Sequence, residues 1–308
     1  MMFPAAMMNS LRKDSMKKIG RVIKFYNSFF FVQVEEELIP CKLRGLLKRD
    51  KKIGSAVCVG DFVEISKLKD KSGVIENVQS RRNILIRPPV ANVDRVILTF
   101  AVDAPRLHPL LLNRFLVLAE KSALDEIIIC VNKIDLTAEK NFLSEYEPLY
   151  KVLRVSAVTG EGVDELREIL SNGVTVFAGP SGVGKSSLLN AIDKNLKLKV
   201  GKISEKILRG KHTTRISELI KFSGGFLVDT PGFSAVDLVE AGLDKKNLWN
   251  YFKEFAPFAA DCKFLNGCSH SHEPDCGVKA AVEQGKILRE RYESYLTLLE
   301  EVSAEKIY

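Results

Sequence analysis

A chain of 308 residues, 46% hydrophobic and 28% charged, has the composition of a globular protein with room for two domains and a small third unit. No apolar run reaches the roughly 18 residues of a membrane span, and in "MMFPAAMMNSLRKDSMKK" the basic residues follow the apolar patch, the reverse of a secretory signal. The net charge of +7 is concentrated at one end: residues 1–88 hold 18 Lys+Arg against 9 Asp+Glu, and the remainder 28 against 30, so a polyanion is expected to meet the N-terminal part.

Residues 1–17 read as a disordered leader on a cytoplasmic protein. All five methionines fall within the first 16 residues, which leaves Met7, Met8 and Met16 open as starts. From residue 18 to 88 the pattern is short strands: "RVIKFYNSFFFVQVE", "LIPCKLRG", "DFVEISKL" and "SGVIENV" are rich in β-branched and aromatic residues and parted by Gly, Asp and Lys clusters. A small closed barrel leaves such strands no open edge, and an OB-like barrel has about this size. Phe25, Phe29 and Phe31 fit either its core or a base-stacking surface. The prolines of "IRPPVAN" at 86–92 predict a domain boundary.

Alternation follows. "RVILTFAV" reads as a buried strand, "HPLLLNRFLVLAEKSAL" as a helix and "EIIICVN" as a strand. A helix running to about residue 150 is expected next, then the strand "VLRVSA" and the helix "GVDELREILSNG", with its Asn-Gly as C-cap. "VTVFAG" is a strand, "KSSLLNAI" a helix, and "ISELIKF" and "GGFLVDTPG" strands. This is the pattern of an α/β sheet, whose ligands lie beyond the carboxyl ends of the strands.

Each candidate motif falls at such an end. "GPSGVGKSS", Gly179, Pro180, Ser181, Gly182, Val183, Gly184, Lys185, Ser186 and Ser187, satisfies the P-loop pattern. Its glycines let backbone N–H groups wrap a phosphate chain, with Lys185 reaching the β- and γ-phosphates and Ser186 ligating Mg²⁺. A P-loop does not select a base. Asn132, Lys133, Ile134 and Asp135 do: a carboxylate at a strand end accepts from both N1–H and the 2-amino group of guanine, a pair that adenine lacks. Ser156 and Ala157 would back the base through main-chain N–H groups. In "DTPG", Asp229 can hold the Mg²⁺ shell through water and the Gly232 N–H can sense a γ-phosphate. "GKHTTR" at 210–215 lies where an effector loop belongs, and Thr213 or Thr214 is the expected further Mg²⁺ ligand.

"CKFLNGCSHSHEPDC" spaces Cys262, Cys268, His270 and Cys276 as three thiolates and an imidazole, enough to close one tetrahedral structural zinc site. His272 competes with His270, and spacing favours His270. Cys41, Cys58 and Cys130 read as small buried hydrophobes. The apolar stripe of "GVKAAVEQGKILRERYESYLTLLEE" reads as core packed on the cysteine cluster.

The order base motif, Ser-Ala, P-loop, threonine loop, DTPG is a circular permutation of the usual P-loop-first order, so neither nucleotide motif need be accidental. With the barrel before it and the cysteine cluster after it, the chain from about residue 18 resembles the ribosome small-subunit-dependent GTPase A family. The resemblance implies an OB-like RNA-binding barrel (18–88), a circularly permuted α/β P-loop GTPase domain (89–240) and a zinc-binding helical segment (241–308). It also implies GTP hydrolysis stimulated by the small ribosomal subunit, contact with that subunit's rRNA, and a role in its late maturation, in a monomer holding one structural Zn²⁺ and Mg²⁺ with GTP. The family's pattern has four residues between the first two cysteines, where this chain has five. Phe233 stands where other GTPases carry a water-positioning glutamine, so intrinsic turnover is expected to be slow, and the family's proposed catalytic histidine maps to His212. Two alternatives stay open at this stage: an RNA-binding assembly factor with incidental turnover, and a guanylate-like nucleotide kinase.

Overall fold

The computed structural model describes residues 17–45, 55–86, 89–139, 141–193, 218–229 and 237–304. The leader expected over 1–17 therefore lies outside them, Lys17 apart. The chain divides into two compact units, Met1–Asn92 with Thr214–Leu219, and Val93–Thr213 with Ile220–Tyr308.

The first unit is a closed barrel of β1 (Lys18–Tyr26), β2 (Phe29–Val34), β3 (Glu37–Leu43), β4 (Phe62–Lys67) and β5 (Gly73–Val78), in the order β1-β2-β3-β5-β4 with β1 paired to β4. Two-residue alternation builds it. In β2, Phe30, Val32 and Val34 are buried, while Phe29, Phe31 and Gln33 face outward and are half-buried. "RVIKFYNSFFFVQVE" is thus a hairpin rather than one strand. It turns at Asn27 and Ser28, both at positive φ, as a tight two-residue turn requires. The three phenylalanines separate. Phe25 lies against the buried Phe30 at 4.6 Å between ring centroids, Phe29 lies under Lys42 Nζ at 5.1 Å, and Phe31 stands opposite Pro40. Tyr26 and Phe62 are exposed, with the Arg21 guanidinium 5.0 Å from the Phe62 ring.

The fully buried Asp61 accepts from Arg81 Nε at 2.7 Å, Arg81 Nη2 at 2.9 Å and the Cys58 amide at 2.8 Å. Where the prolines predicted only a boundary, β6 (Ile84–Ile86) and β7 (Pro89–Ala91) pair as a two-stranded hairpin. Pro89 takes the first position of its strand, where the missing N–H is tolerated. Glu218 forms an isolated antiparallel bridge with Lys24 and an ion pair with it at 2.9 Å.

The second unit holds β8 (Arg95–Ala101), α1 (Pro109–Lys121), β9 (Glu126–Asn132), β10 (Lys151–Arg154), α2 (Val163–Ile169), β11 (Val174–Ala178), α3 (Lys185–Ile192), β12 (Leu219–Phe222) and β13 (Gly225–Asp229). The sheet order is β10-β9-β8-β11-β13-β12, and the first five strands are parallel neighbour to neighbour. Every residue of β11 is buried, as are the last six of β8, which is why both read as unbroken apolar runs. Two expectations differ from the structure. The helix expected to run to about residue 150 is a series of turns around a 3-10 turn at Ser144–Tyr146, since Leu143 sits at φ 62° and Pro148 supplies no amide. α2 ends at Ile169 with Leu170 as its C-cap, so Asn172-Gly173 turns the chain into β11 rather than capping the helix.

The C-terminal segment carries α4 (Ala256–Ala259), α5 (Gly277–Glu283) and α6 (Arg289–Ala304). α6 packs on α1. At their contact Arg291, 1% exposed, donates to Glu254 through Nε at 2.6 Å and Nη2 at 2.9 Å, and to Asn113 Oδ1 at 3.0 Å. Asn113 also accepts from the Tyr146 hydroxyl at 3.1 Å and donates to Ser294 Oγ at 2.8 Å. The guanidinium faces the Phe252 ring at 4.9 Å. A buried charge deprived of its partner is costly, so Arg291→Ala should lower the unfolding free energy by about 3–5 kcal/mol. The urea midpoint reports this, and the pair Arg291→Met with Glu254→Leu should recover most of the loss.

Candidate functional site: a crest of strand-end loops and a thiol–imidazole cluster

Four sequence motifs leave the carboxyl ends of four parallel strands. The Asn132 motif follows β9, Ser156 follows β10, the glycine loop follows β11, and Asp229 is the last residue of β13. Neighbouring loops therefore meet along one edge of the sheet.

Asn132 is the joint. Its side chain is buried, with Nδ2 donating to Val183 O at 2.9 Å and Oδ1 accepting from the Ala157 amide at 3.3 Å. One amide thus spans the base-motif loop, the glycine loop and the Ser-Ala turn. Lys133, at φ 65°, lays its stem along the glycine loop and donates to Gly182 O at 2.9 Å and to Ala104 O. Ser156, fully buried, donates its hydroxyl to Asp135 Oδ1 and accepts from the amides of Val158 at 3.2 Å and Thr159 at 3.1 Å. The exposed Asp135 carboxylate is thereby fixed at the solvent edge of the crest.

The glycine loop is shaped by close approach. A Cβ on Gly179, at φ 147°, would lie 2.0 Å from Thr99 O, and one on Gly184, at φ 92°, would lie 2.3 Å from the Asn132 amide nitrogen. Gly184 caps α3, whose first residues Lys185, Ser186 and Ser187 are half-buried. Lys185 Nζ donates to the Gly179 and Pro180 carbonyls, each at 2.7 Å. The structure thus brings together Asn132, Lys133, Asp135, Ser156, Ala157 and the loop from Gly179 to Ser187. Ile134 donates its amide to Val155 O at 3.4 Å within the same loop cluster. Asp229 ends its strand at the same edge. His212, Thr213, Thr214 and Gly232 lie outside the described residues. The sequence reading missed Thr99 and Ala104, which act through backbone carbonyls that no side-chain pattern reports.

A second cluster lies in the C-terminal segment. The ligand atoms of Cys262, Cys268, His270 and Cys276 all fall within 4.8 Å of one another, and all four residues are buried. Cys262 Sγ is 3.7 Å from Cys276 Sγ, and both sulfurs are 3.5 Å from His270 Nδ1. The exposed His272 instead meets Ser271 Oγ at 2.9 Å. Burial pushes the Cys268 thiol up to about 12, raises Cys276 and lowers His270. Desolvation alone therefore favours neutral groups, and a cation among them would offset the cost of the thiolates and release their protons. These four residues could hold a metal ion.

Glu273 was not foreseen. Burial pushes its carboxyl up, but hydrogen bonds from the Ser269 hydroxyl and amide and from the Ser271 amide outweigh it and hold the group at about 2. An acidic residue in a polar loop carries no sequence signal for such a role. Among the described residues no helix is long and apolar enough to cross a membrane.

With this geometry in hand, residues 78–239 match the RsgA GTPase family and residues 19–75 match the RsgA N-terminal domain. The small ribosomal subunit biogenesis GTPase RsgA of Caldanaerobacter subterraneus subsp. tengcongensis is 43% identical over 93% of this chain and 96% of that protein. Its counterpart in Thermotoga petrophila is 44% identical over 94% and 98%. The crystal structure of YjeQ from Thermotoga maritima superposes with a TM-score of 0.78 at 41% identity, covering 93% of this chain and 99% of that one. The structure of YloQ, a circularly permuted GTPase, gives 0.76 at 33% identity, covering 95% and 97%.

Because Asn132 is the joint, Asn132→Ala leaves Val183 O and the Ala157 amide without their partner, at about 1–3 kcal/mol each. Guanine-nucleotide affinity, read by fluorescence of a labelled nucleotide, should weaken roughly 5- to 100-fold while the far-ultraviolet dichroism stays unchanged.

Proposed function

The chain belongs to the RsgA GTPase family, and on that premise we propose that it binds GTP along the strand-end crest and hydrolyses it to time a late step in small ribosomal subunit maturation. The observation that carries the reading is the Asn132 side chain, bonded at once to the glycine loop and to the Ser-Ala turn. It supports a common site for motifs 43 residues apart in the chain, despite their permuted order.

In this reading the amides of the loop from Gly179 to Gly184, Pro180 apart, and the N-terminus of α3 cradle the phosphates. Lys185 exchanges its two carbonyl partners for the β- and γ-phosphate oxygens. Asp135 accepts from the guanine N1–H and 2-amino group, the Lys133 stem covers one face of the base, and the turn at Ser156 and Ala157 backs it. Ser186, joined by Thr213 or Thr214, would hold Mg²⁺, with Asp229 acting through water and the Gly232 amide meeting the γ-phosphate. Mg²⁺ held there would supply neutralising charge to the phosphates. Because Phe233 cannot orient water, His212 is assigned that task, and the subunit is assigned the stimulation that a slow intrinsic reaction needs.

The barrel is the rRNA-binding unit. Its exposed Tyr26 and Phe62, and Phe29 beneath Lys42, supply ring faces beside cations, and residues 1–88 carry the positive excess. Zinc is the metal of the Cys262, Cys268, His270 and Cys276 cluster. A tetrahedral ion with Zn–S of about 2.3 Å and Zn–N of about 2.0 Å would set sulfurs about 3.8 Å apart and sulfur about 3.5 Å from nitrogen. Among Cys262, Cys276 and His270 the corresponding separations are 3.7 and 3.5 Å. Four protein ligands leave no open position, so the site is structural. The protein works in the cytoplasm, as a monomer.

Two measurements test this. Purified small subunits should raise the GTP turnover rate on the order of tenfold or more, with the stimulation falling steeply as salt rises; a rate indifferent to subunits removes the ribosomal reading. Asp135→Asn should reduce GTP binding by roughly two orders of magnitude and favour xanthosine triphosphate, whose C2 carbonyl accepts from the new amide. An unchanged preference removes Asp135 from the base site.

A further inference from the structure

Of the fifteen residues from Cys262 to Cys276, the three centred on the imidazole ligand are held from every side. Glu273 Oε1 accepts from the Ser269 amide at 2.8 Å and the Ser269 hydroxyl at 2.7 Å, and Oε2 accepts from the Ser271 amide at 3.1 Å. One carboxylate therefore grips the backbone on both sides of His270. The carbonyls of the same stretch are taken by α6: the Tyr292 hydroxyl donates to His270 O at 2.8 Å, and the Tyr295 hydroxyl donates to Ser269 O. The Ser269 and Ser271 hydroxyls meet at 2.7 Å. His270 itself sits at φ 56°, a left-handed backbone that a residue with a Cβ adopts only under constraint. That bend turns Nδ1 toward the sulfurs of Cys262 and Cys276.

We propose that Glu273 is the positioning residue of the metal loop: its carboxylate clamps the amides flanking His270, so that the imidazole and the neighbouring Cys268 stand ready for zinc before the ion arrives. This rests on the zinc reading above. Glu273 is not itself a ligand, because its two oxygens are occupied by three donors and it lies outside the four-residue cluster. The negative charge is essential to the clamp. A glutamine keeps the size but has a single acceptor oxygen, and its amide nitrogen would face a backbone N–H, donor against donor. An aspartate keeps the charge but is one methylene short of reaching both amides. Partners that orient metal ligands in this way typically change metal affinity 10- to 100-fold when removed.

The test uses the full chain and zinc alone. Zinc dissociation constants are measured by competition with a chromophoric chelator, and Co²⁺ replaces zinc to report ligand geometry through its visible bands. The wild type should bind one ion tightly. Glu273→Gln should bind it roughly 10- to 100-fold more weakly, with Co²⁺ bands altered in intensity and position. Ser269→Ala, which removes one of the three donors, should weaken binding about 2- to 10-fold and keeps the test decisive if Glu273→Gln does not fold. His272→Ala should bind like the wild type. Wild-type affinity and an unaltered Co²⁺ spectrum in Glu273→Gln, or in Ser269→Ala where only that variant folds, would overturn the clamp and leave the zinc reading standing. Failure of the wild type to bind zinc would overturn both.

Discussion

A buried primary amide has four hydrogen-bonding capacities, and at Asn132 two of them are given to backbone groups on separate loops. Nδ2 holds Val183 O in the glycine loop, and Oδ1 holds the Ala157 amide in the turn after β10. Each buried group left unpaired would cost about 1–3 kcal/mol, so the three loops stay in register as a set. The absent side chain at Gly184 serves the same joint, since a Cβ there would collide with the Asn132 nitrogen. Lys133 adds a second stitch by donating to Gly182 O and Ala104 O. The site is assembled by these few contacts across strand ends, and the sheet's part is to bring the ends close enough for them to form.

That dependence explains why permutation leaves the site intact. β9, β8 and β11 are adjacent and parallel whatever their order in the chain, so the loops at their carboxyl ends meet in any connectivity that preserves the sheet. What permutation alters is the covalent neighbourhood. The strand ending in Asp229 continues into the segment that holds the thiol–imidazole cluster, and the strand before it begins immediately after Glu218, which is paired to Lys24 of the barrel. In a chain that began with the glycine loop, the base motif would lead to the C-terminal segment instead.

The parts legible in the sequence are those whose chemistry is contained in a short window. The glycine loop, the Asn132 motif and the Cys/His spacing specify their residues within fifteen positions, and two-residue alternation marks the barrel strands. Elements that depend on one local exception were misread. Apolar and polar residues before Tyr150 have a helical look, but Pro148 and the left-handed Leu143 forbid the helix. The doubled proline marked a boundary, and the units do divide at Asn92 and Val93, but it hid the β6–β7 pairing that Pro89 enters at its first position. Contacts between distant segments were invisible. Arg291 reads as one more surface charge on an amphipathic helix, and only the fold brings Glu254 and Asn113 to it across 37 and 178 residues. Glu273 was unreadable for a different reason: two of its three partners are main-chain amides, which have no letter in the sequence.

The cluster and the crest are joined mechanically by α6. From one face this helix sends Tyr292 and Tyr295 to the carbonyls beside His270. Through Arg291 it reaches Glu254 and Asn113, and Glu301, bound by both guanidinium nitrogens of Arg114, ties its far end to α1. α1 in turn connects β8 to β9, the strands whose ends supply Ala104 and Asn132 to the crest. Directional bonds at three points along its sixteen residues fix its register. The loop that carries His270 is therefore tied to the same element that packs on α1.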